Sequence, residues 1–257
     1  MTVANKIIIN ADNFGYSTAV NEAIARSFQC NLITSTSLMA NMPGFDDAVR
    51  LVQEYPFFSG KVGLQLNLTE GYSLSMAIRQ CRRFCHPSGY FIYNWQRPLL
   101  FLTIREKRAV YKELKAQLDR VFAAGILPSH LDSHHHIHTE WAIAKLTARL
   151  GGANGIRKIR LIRNMGLELA GPKMVYKQVF NRYLKRSAGI TSTDYFGDIH
   201  DWYFLQLTRP PAGKNIEIMV HPLFNEGGEL VDGDLRNLQA QLEPVIDHHD
   251  TISYSDL

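Results

Sequence analysis

The chain has 257 residues, 46% of them hydrophobic and 20% charged, with a formal net charge of +4. This is the composition of a folded globular protein, long enough for one large α/β domain or two small ones. The charge is too mild, and too little interleaved with aromatics, to imply a nucleic-acid partner. No segment approaches the roughly 20 apolar residues of a membrane span. Three cysteines (Cys30, Cys81 and Cys85) make no disulfide framework, and the odd count favours a reducing compartment. With no charged leader before the first strand, a cytoplasmic location is expected.

Strand and helix signals alternate along the chain. Lys6 to Asn10 is an apolar run ending at the polar turn Ala11-Asp12-Asn13-Phe14-Gly15. Ser17 can cap a following helix that buries Val20, Ala23, Ile24 and Phe28. Leu32 to Met39 is a Thr- and Ser-rich strand, broken by Asn41-Met42-Pro43-Gly44, and 46–54 is helical. Val62 to Leu68 alternates cleanly as a third strand. Residues 70–103 then lose periodicity, which reads as an excursion or lid. Within them, Arg79-Gln80-Cys81-Arg82-Arg83 is expected as a solvated loop. Cys81-x-x-x-Cys85-His86 is half of a metal knuckle with no second pair, so free thiols are expected. Ile104 to Ala124 is the longest helix, with Val110, Leu114, Leu118 and Val121 at helical spacing.

Residues 130–138 hold five of the chain's ten histidines, after an apolar stretch and Pro128. That context predicts a strand on which Asp132, His134, His136 and His138 share one face. A helix follows over 141–150. Lys158 to Arg163 is a further strand, 172–185 is helical, and 190–209 is mixed. Ile216 to His221 is a strong strand, Leu235 to Ile246 a helix, and Thr251 to Tyr254 a final short strand. About seven strands alternating with helices predict an α/β protein whose parallel sheet is closed, or nearly closed, into a barrel. The polar residues Asp12, Asn13, Asn41, Gln65, Asn67, the histidines, Arg163 and His221 fall where strands finish, the active-site face of such barrels. A carboxylate and histidines gathered there can activate water on a metal, and a second histidine can protonate a leaving group. The plainer readings make Asp12 a turn cap and His221 a buried hydrogen-bonded histidine.

Several of these segments resemble one family. Asn10-Ala11-Asp12-Asn13-Phe14-Gly15-Tyr16-Ser17 is similar to the Asn-Ala-Asp-Asp-Phe-Gly-x-Ser opening of the YdjC-like carbohydrate deacetylases. Ile33 to Met39 resembles their second strand, and His130-Leu131-Asp132-Ser133-His134-His135-His136-Ile137-His138 their histidine motif. Met219-Val220-His221-Pro222 resembles their late strand end. The likeness implies a single TIM-like (β/α) barrel over residues 1–257, slightly distorted, with the excursion after strand three. It implies a metal-dependent hydrolase that removes acetyl groups from N-acetylated amino sugars or glycans. Asp12 maps to the water-activating base and His221 to the leaving-group side. His134 is a metal ligand, with Asn13 and Gln65 at the other two ligand positions. Arg163, His136, His138 and Asn67 are expected to meet substrate, and Arg160 or Arg163 to orient Asp12.

Asn13 and Gln65 depart from the family's Asp and His, offering only neutral amide oxygens. A divalent site, Mg or Zn, would be weakened by both changes. Three readings follow: a metal recruited differently through His136 or His138, metal-free hydrolysis, or a catalytically silent, metal-poor carbohydrate binder. Phe84, Tyr90, Phe91, Tyr93 and Trp95 in the excursion could stack on sugar rings or form a subunit interface, and a homodimer is expected. Asp201-Trp202-Tyr203-Phe204 is expected to serve packing.

Overall fold

The computed structural model describes residues 4–94, 99–166, 172–186, 189–208 and 210–257. The chain begins with β1 (Lys6–Phe14), α1 (Thr18–Gln29), β2 (Ser35–Leu38), α2 (Phe45–Glu54) and β3 (Val62–Leu66). The excursion contains α3 (Met76–Arg79) and leads into α4 (Ile104–Ala123). Then come β4 (Leu131–Ser133), α5 (Trp141–Ala153), α6 (Pro172–Arg186), β5 (Tyr195–Asp198), α7 (Ile199–Thr208) and β6 (Asn215–Val220). The last elements are the hairpin strands β7 (Leu223–Phe224) and β8 (Leu230–Val231), α8 (Leu238–Ile246) and β9 (Asp250–Thr251).

The main sheet runs β4-β3-β2-β1-β6-β5, all parallel, with β9 also pairing β1. It curls into a half-barrel, where the sequence predicted a TIM-like barrel closed or nearly closed. Ile7, Ile8 and Ile9 of β1 are all fully buried, the continuous apolar run of a parallel strand covered on both faces. Past β4, single parallel bridges at Leu131–Ile159 and Lys158–Thr191 continue the arrangement among the described residues, so the strand expected over 158–163 is reduced to isolated bridges, one on each side. The mixed stretch 190–209 proves to hold β5 and α7. Ser17 caps α1 as its sequence suggests, its side chain accepting from the Val20 amide. A Thr103–Glu106 capping box starts α4, which buries Val110, Leu114, Leu118 and Val121. Among the described residues, no helix is long and apolar enough to cross a membrane.

The excursion is packed rather than loose. Antiparallel bridges join Tyr72 to Tyr90 and Cys85 to Phe91. Phe84, Phe91 and Tyr93 point into the hydrophobic core, so they cannot stack on a ligand. Tyr72 and Tyr90 are exposed and meet edge to face at 5.4 Å. Trp95 lies outside the described residues. Cys81 and Cys85 are buried free thiols, and burial pushes both pKa values up. Trp202 is buried, as its packing role requires.

At the far side of the sheet, Gly63 of β3 lies against the His130 ring. A Cβ at position 63 would come within 2.3 Å of His130 Cε1. The ring stacks on Tyr254 with centroids 3.7 Å apart, and the Tyr254 hydroxyl donates to Glu217 Oε2.

Candidate active site

The site is built where β1, β3, β4 and β6 end. The β1–β2 register shifts between Ala11 and Phe14, and Asn13 there takes φ 70°. This irregularity re-aims Asp12 and Asn13 from the alternation of a plain strand. The Asp12 carboxylate is buried and fully engaged. Arg160 donates to both oxygens at 2.7 Å, Asn10 Nδ2 donates to Oδ1 at 2.9 Å, and Gln65 Nε2 to Oδ2 at 2.9 Å.

Arg160 is itself fully buried and serves three carboxylates. Besides Asp12 it pairs with Glu217 Oε1 at 2.7 Å and Asp132 Oδ2 at 2.6 Å. One cation cannot neutralise three anions, and the protonation states divide accordingly. Burial works to raise Asp12, but the charge and hydrogen bonds of Arg160 outweigh it, with help from the fields of His221 and His136. The Asp12 carboxyl is thereby held well below its usual range. Burial pushes Asp132 well above its ordinary value and Glu217 up as well, only partly offset by Arg160. The negative charge is therefore concentrated on Asp12. Asp132 Oδ1 has no hydrogen-bond partner, in keeping with a carboxyl that need not carry charge.

Above this cluster lies a less buried rim. His134 Nε2 is 2.8 Å from Glu70 Oε2, and His134 Nδ1 is 3.1 Å from Asn13 Oδ1. The Tyr16 hydroxyl donates to Glu70 Oε1 at 2.8 Å. Burial lowers the His134 pKa against the raising influence of Glu70. Burial tends to raise Glu70, but hydrogen bonds from Tyr16 and His134 bring it net down. Glu70 carries no periodic or motif signal that marked it in the sequence. The available hint is Asn67 three residues before it, whose Oδ1 accepts from the Thr69 and Glu70 amides in an Asx turn.

The histidine run does not continue as a strand. β4 ends at Ser133, whose hydroxyl accepts from the His138 amide at 2.9 Å and lies 2.6 Å from His138 Nδ1. The run folds back as a short 3-10 turn, with His135 and His136 at φ 50° and 53°. Left-handed backbone costs non-glycine residues about 1–2 kcal/mol each. Asp132, His134, His136 and His138 therefore do not share a face. His138 is fully buried, its Nε2 3.1 Å from the Arg160 carbonyl, and has no surface to offer a substrate. Asn67 is also fully buried, its oxygen and amide spent on Thr69, Glu70 and Asn41, so it shapes the loop rather than touching ligand. Arg163 is partly exposed but tied to Asp201 and, at 2.5 Å, to Asp198, away from the Asp12 cluster. His136 lies between these extremes: its Nδ1 is buried without a partner, and its ring meets Phe196 edge-on at 5.5 Å. His221 directly follows β6, and its amide donates to Asp232 Oδ1 at 2.5 Å. Its ring takes no hydrogen bond among the described residues, while its field reaches Asp12, His134 and His136.

The family's metal positions do not fit a metal here. Gln65 is fully buried, its Oε1 accepting from the Asn13 amide at 3.2 Å while its Nε2 faces Asp12. Turned this way, Gln65 offers only a neutral oxygen already engaged by the Asn13 amide, and the Asn13 oxygen is likewise neutral and already against the His134 ring. Donors with usual metal chemistry do lie at the rim, where ligand atoms of Glu70, His134 and His135 are within 4.8 Å of one another.

A model of the family described as YdjC-like protein matches residues 6–256. The carbohydrate deacetylase of Halalkalibacterium halodurans is 37% identical over 242 residues, covering 91% of this chain and 94% of that one. The carbohydrate deacetylase of Geobacillus stearothermophilus is 30% identical over 221 residues, covering 84% and 79%. The crystal structure of a candidate cellobiose-phosphate cleavage protein from Enterococcus faecalis matches with a TM-score of 0.73 over 98% of both chains, at 20% identity, a likeness of fold. With the family model running from β1 to the last turn and this identity over most of its length, the chain belongs to the YdjC-like family.

Proposed function

We propose that this chain is a carbohydrate deacetylase that hydrolyses the acetamide of an N-acetylated amino sugar. The observation carrying this reading is the Asp12 anion fixed by Arg160 within the electrostatic reach of His221, whose ring takes no hydrogen bond among the described residues. With four hydrogen bonds and a depressed pKa, Asp12 is a weak base, so its part is that of a fixed counter-charge. His221 takes a proton from water as the water oxygen bonds to the acetyl carbon. The Asp12 charge stabilises the resulting imidazolium. His221 then returns the proton to the sugar nitrogen as the C–N bond breaks, giving acetate and the free amine. His136, half-buried and edge-on to Phe196, is given a substrate-facing place rather than a proton-carrying one. A divalent metal serving this reaction has imidazole and carboxylate donors within reach at the rim, a set that suits zinc better than magnesium.

The family relationship speaks for turnover and against a silent carbohydrate binder. The exposed Tyr72–Tyr90 pair, one turn of chain from Glu70, supplies the aromatic surface for a sugar ring. We further take the chain as a single domain with 70–103 as a covering excursion, acting in the cytoplasm and able to pair as a homodimer. The test is acetate release from N-acetylated chitooligosaccharides and other N-acetylated glycans. Release that vanishes in His221→Asn supports the assignment. Sugar binding by calorimetry without any acetate would reject it.

A further inference from the structure

The amides at positions 13 and 65 fail as metal ligands, yet three stronger donors stand beside them. Ligand atoms of Glu70, His134 and His135 lie within 4.8 Å of one another at the partly exposed rim. Each is held from behind through a second atom. Tyr16 binds Glu70 Oε1 at 2.8 Å, so Oε2 is the oxygen turned toward His134 Nε2. Asn13 sits 3.1 Å from His134 Nδ1, and Thr69 Oγ1 sits 3.0 Å from His135 Nδ1. Metal-ligating imidazoles and carboxylates are oriented in this way, through the atom that does not face the ion. The backbone gives an independent sign. His135 and His136 form a consecutive left-handed pair of non-glycine residues, and such strain collects where a side chain has to be aimed.

We propose that Glu70, His134 and His135 bind one divalent cation through two imidazole nitrogens and one carboxylate, in place of the family set at positions 13, 65 and 134. Nitrogen-rich donors select zinc or cobalt over magnesium, and three protein ligands leave a position open for water or substrate. Asn13 then changes role, from ligand to the group that orients His134. The site stands or falls on cation binding, independently of acetate release.

The test uses the full chain, stripped with a chelator and titrated with Co2+ while visible d–d absorption is recorded, followed by displacement with Zn2+ in a calorimeter. One equivalent with an intense four-coordinate spectrum is expected. Glu70→Gln keeps the side-chain size but removes the charge, and His135→Asn removes a nitrogen; each should weaken binding more than about 100-fold and alter the spectrum. Tyr16→Phe loses only an orienting partner, for which about 10–100-fold is expected. Circular dichroism and melting temperature report folding, and the variants lie on different segments, so one misfolded variant leaves the others decisive. Wild type that takes up no equivalent, or folded Glu70→Gln and His135→Asn that bind as wild type does, overturns the site.

Discussion

The Arg160 cluster and the Glu70 rim are supplied by the ends of the same strands, but they differ in how far their bonding is completed. In the cluster, a buried guanidinium is filled by Asp12, Asp132 and Glu217, and Tyr254 closes it from below. At the rim, Glu70 and His135 are half-buried with His134 buried between them, and His135 and His136 hold a strained backbone. A cluster built around a fully engaged, buried guanidinium can set a field but cannot exchange partners during a reaction. A strained, half-open one can. The contrast assigns electrostatics to the interior and ligand exchange to the rim.

The strongest way to break this contrast is Arg160→Met. It leaves three buried carboxyl groups without their cation, and removing one partner of a buried pair costs about 3–5 kcal/mol. Urea unfolding should show a loss of that size; a loss under about 1 kcal/mol would mean the cluster is not the rigid element described. His221→Asn comes next and should act on rate rather than folding. Acetate release should fall by about 10²–10⁴-fold, with unfolding free energy changed by no more than about 0.5 kcal/mol. A large stability loss with activity retained would return His221 to a packing role.

Acid should also separate the regions. Burial, then the charge of Arg160, brings His138 down to about 3 from its ordinary 6.5. The unfolded chain therefore takes up a proton that the folded chain refuses. This stabilisation is complete above pH 6.5 and is lost as the pH falls toward 3. Between pH 7 and pH 5 this one group should remove about 2 kcal/mol, and His130, lowered by burial and by Arg160, acts in the same direction. Glu70, whose pKa is lowered below 4.5, contributes stability that is lost only at lower pH. Urea unfolding at the two pH values checks this; equal stabilities would show that these histidines are not buried neutral. The smallest effect is expected from Glu70→Gln, which should shift unfolding by under about 1 kcal/mol, because its bonds are made at a solvent-accessible surface. A cost as large as that of Arg160→Met would erase the distinction.

Much of this arrangement was legible in the sequence for physical reasons. The buried run of β1, the alternation of β3 and the helical spacing of α4 express local periodicities that the sheet and its covering layer preserve. Asp12, His134 and His221 were found because each lies near the carboxyl end of a strand. The histidine run misled, since its strand-like alternation ends at Ser133, where a hydroxyl to His138 bond folds the chain back. β5 and α7 were hidden in an aromatic stretch with no clean period. Glu217 sits in β6 between Ile216 and Ile218, and its bonds to Arg160, 57 residues earlier, and to Tyr254 account for a buried carboxyl there. Glu70 reached His134 by an Asx turn plus a contact across 64 residues, a juxtaposition that no spacing rule encodes.

The contact between Gly63 and His130 has a consequence for how this chain can vary. With only 2.3 Å between the His130 ring and a Cβ at position 63, the two positions behave as a single heritable unit. A side chain gained at 63 while the imidazole remains would push the ring onto Tyr254 and dislodge the hydroxyl that Glu217 accepts from. A small residue gained at 130 first would open room at 63 without that cost. The permitted path through sequence space is thus ordered: position 130 must shrink before position 63 can grow.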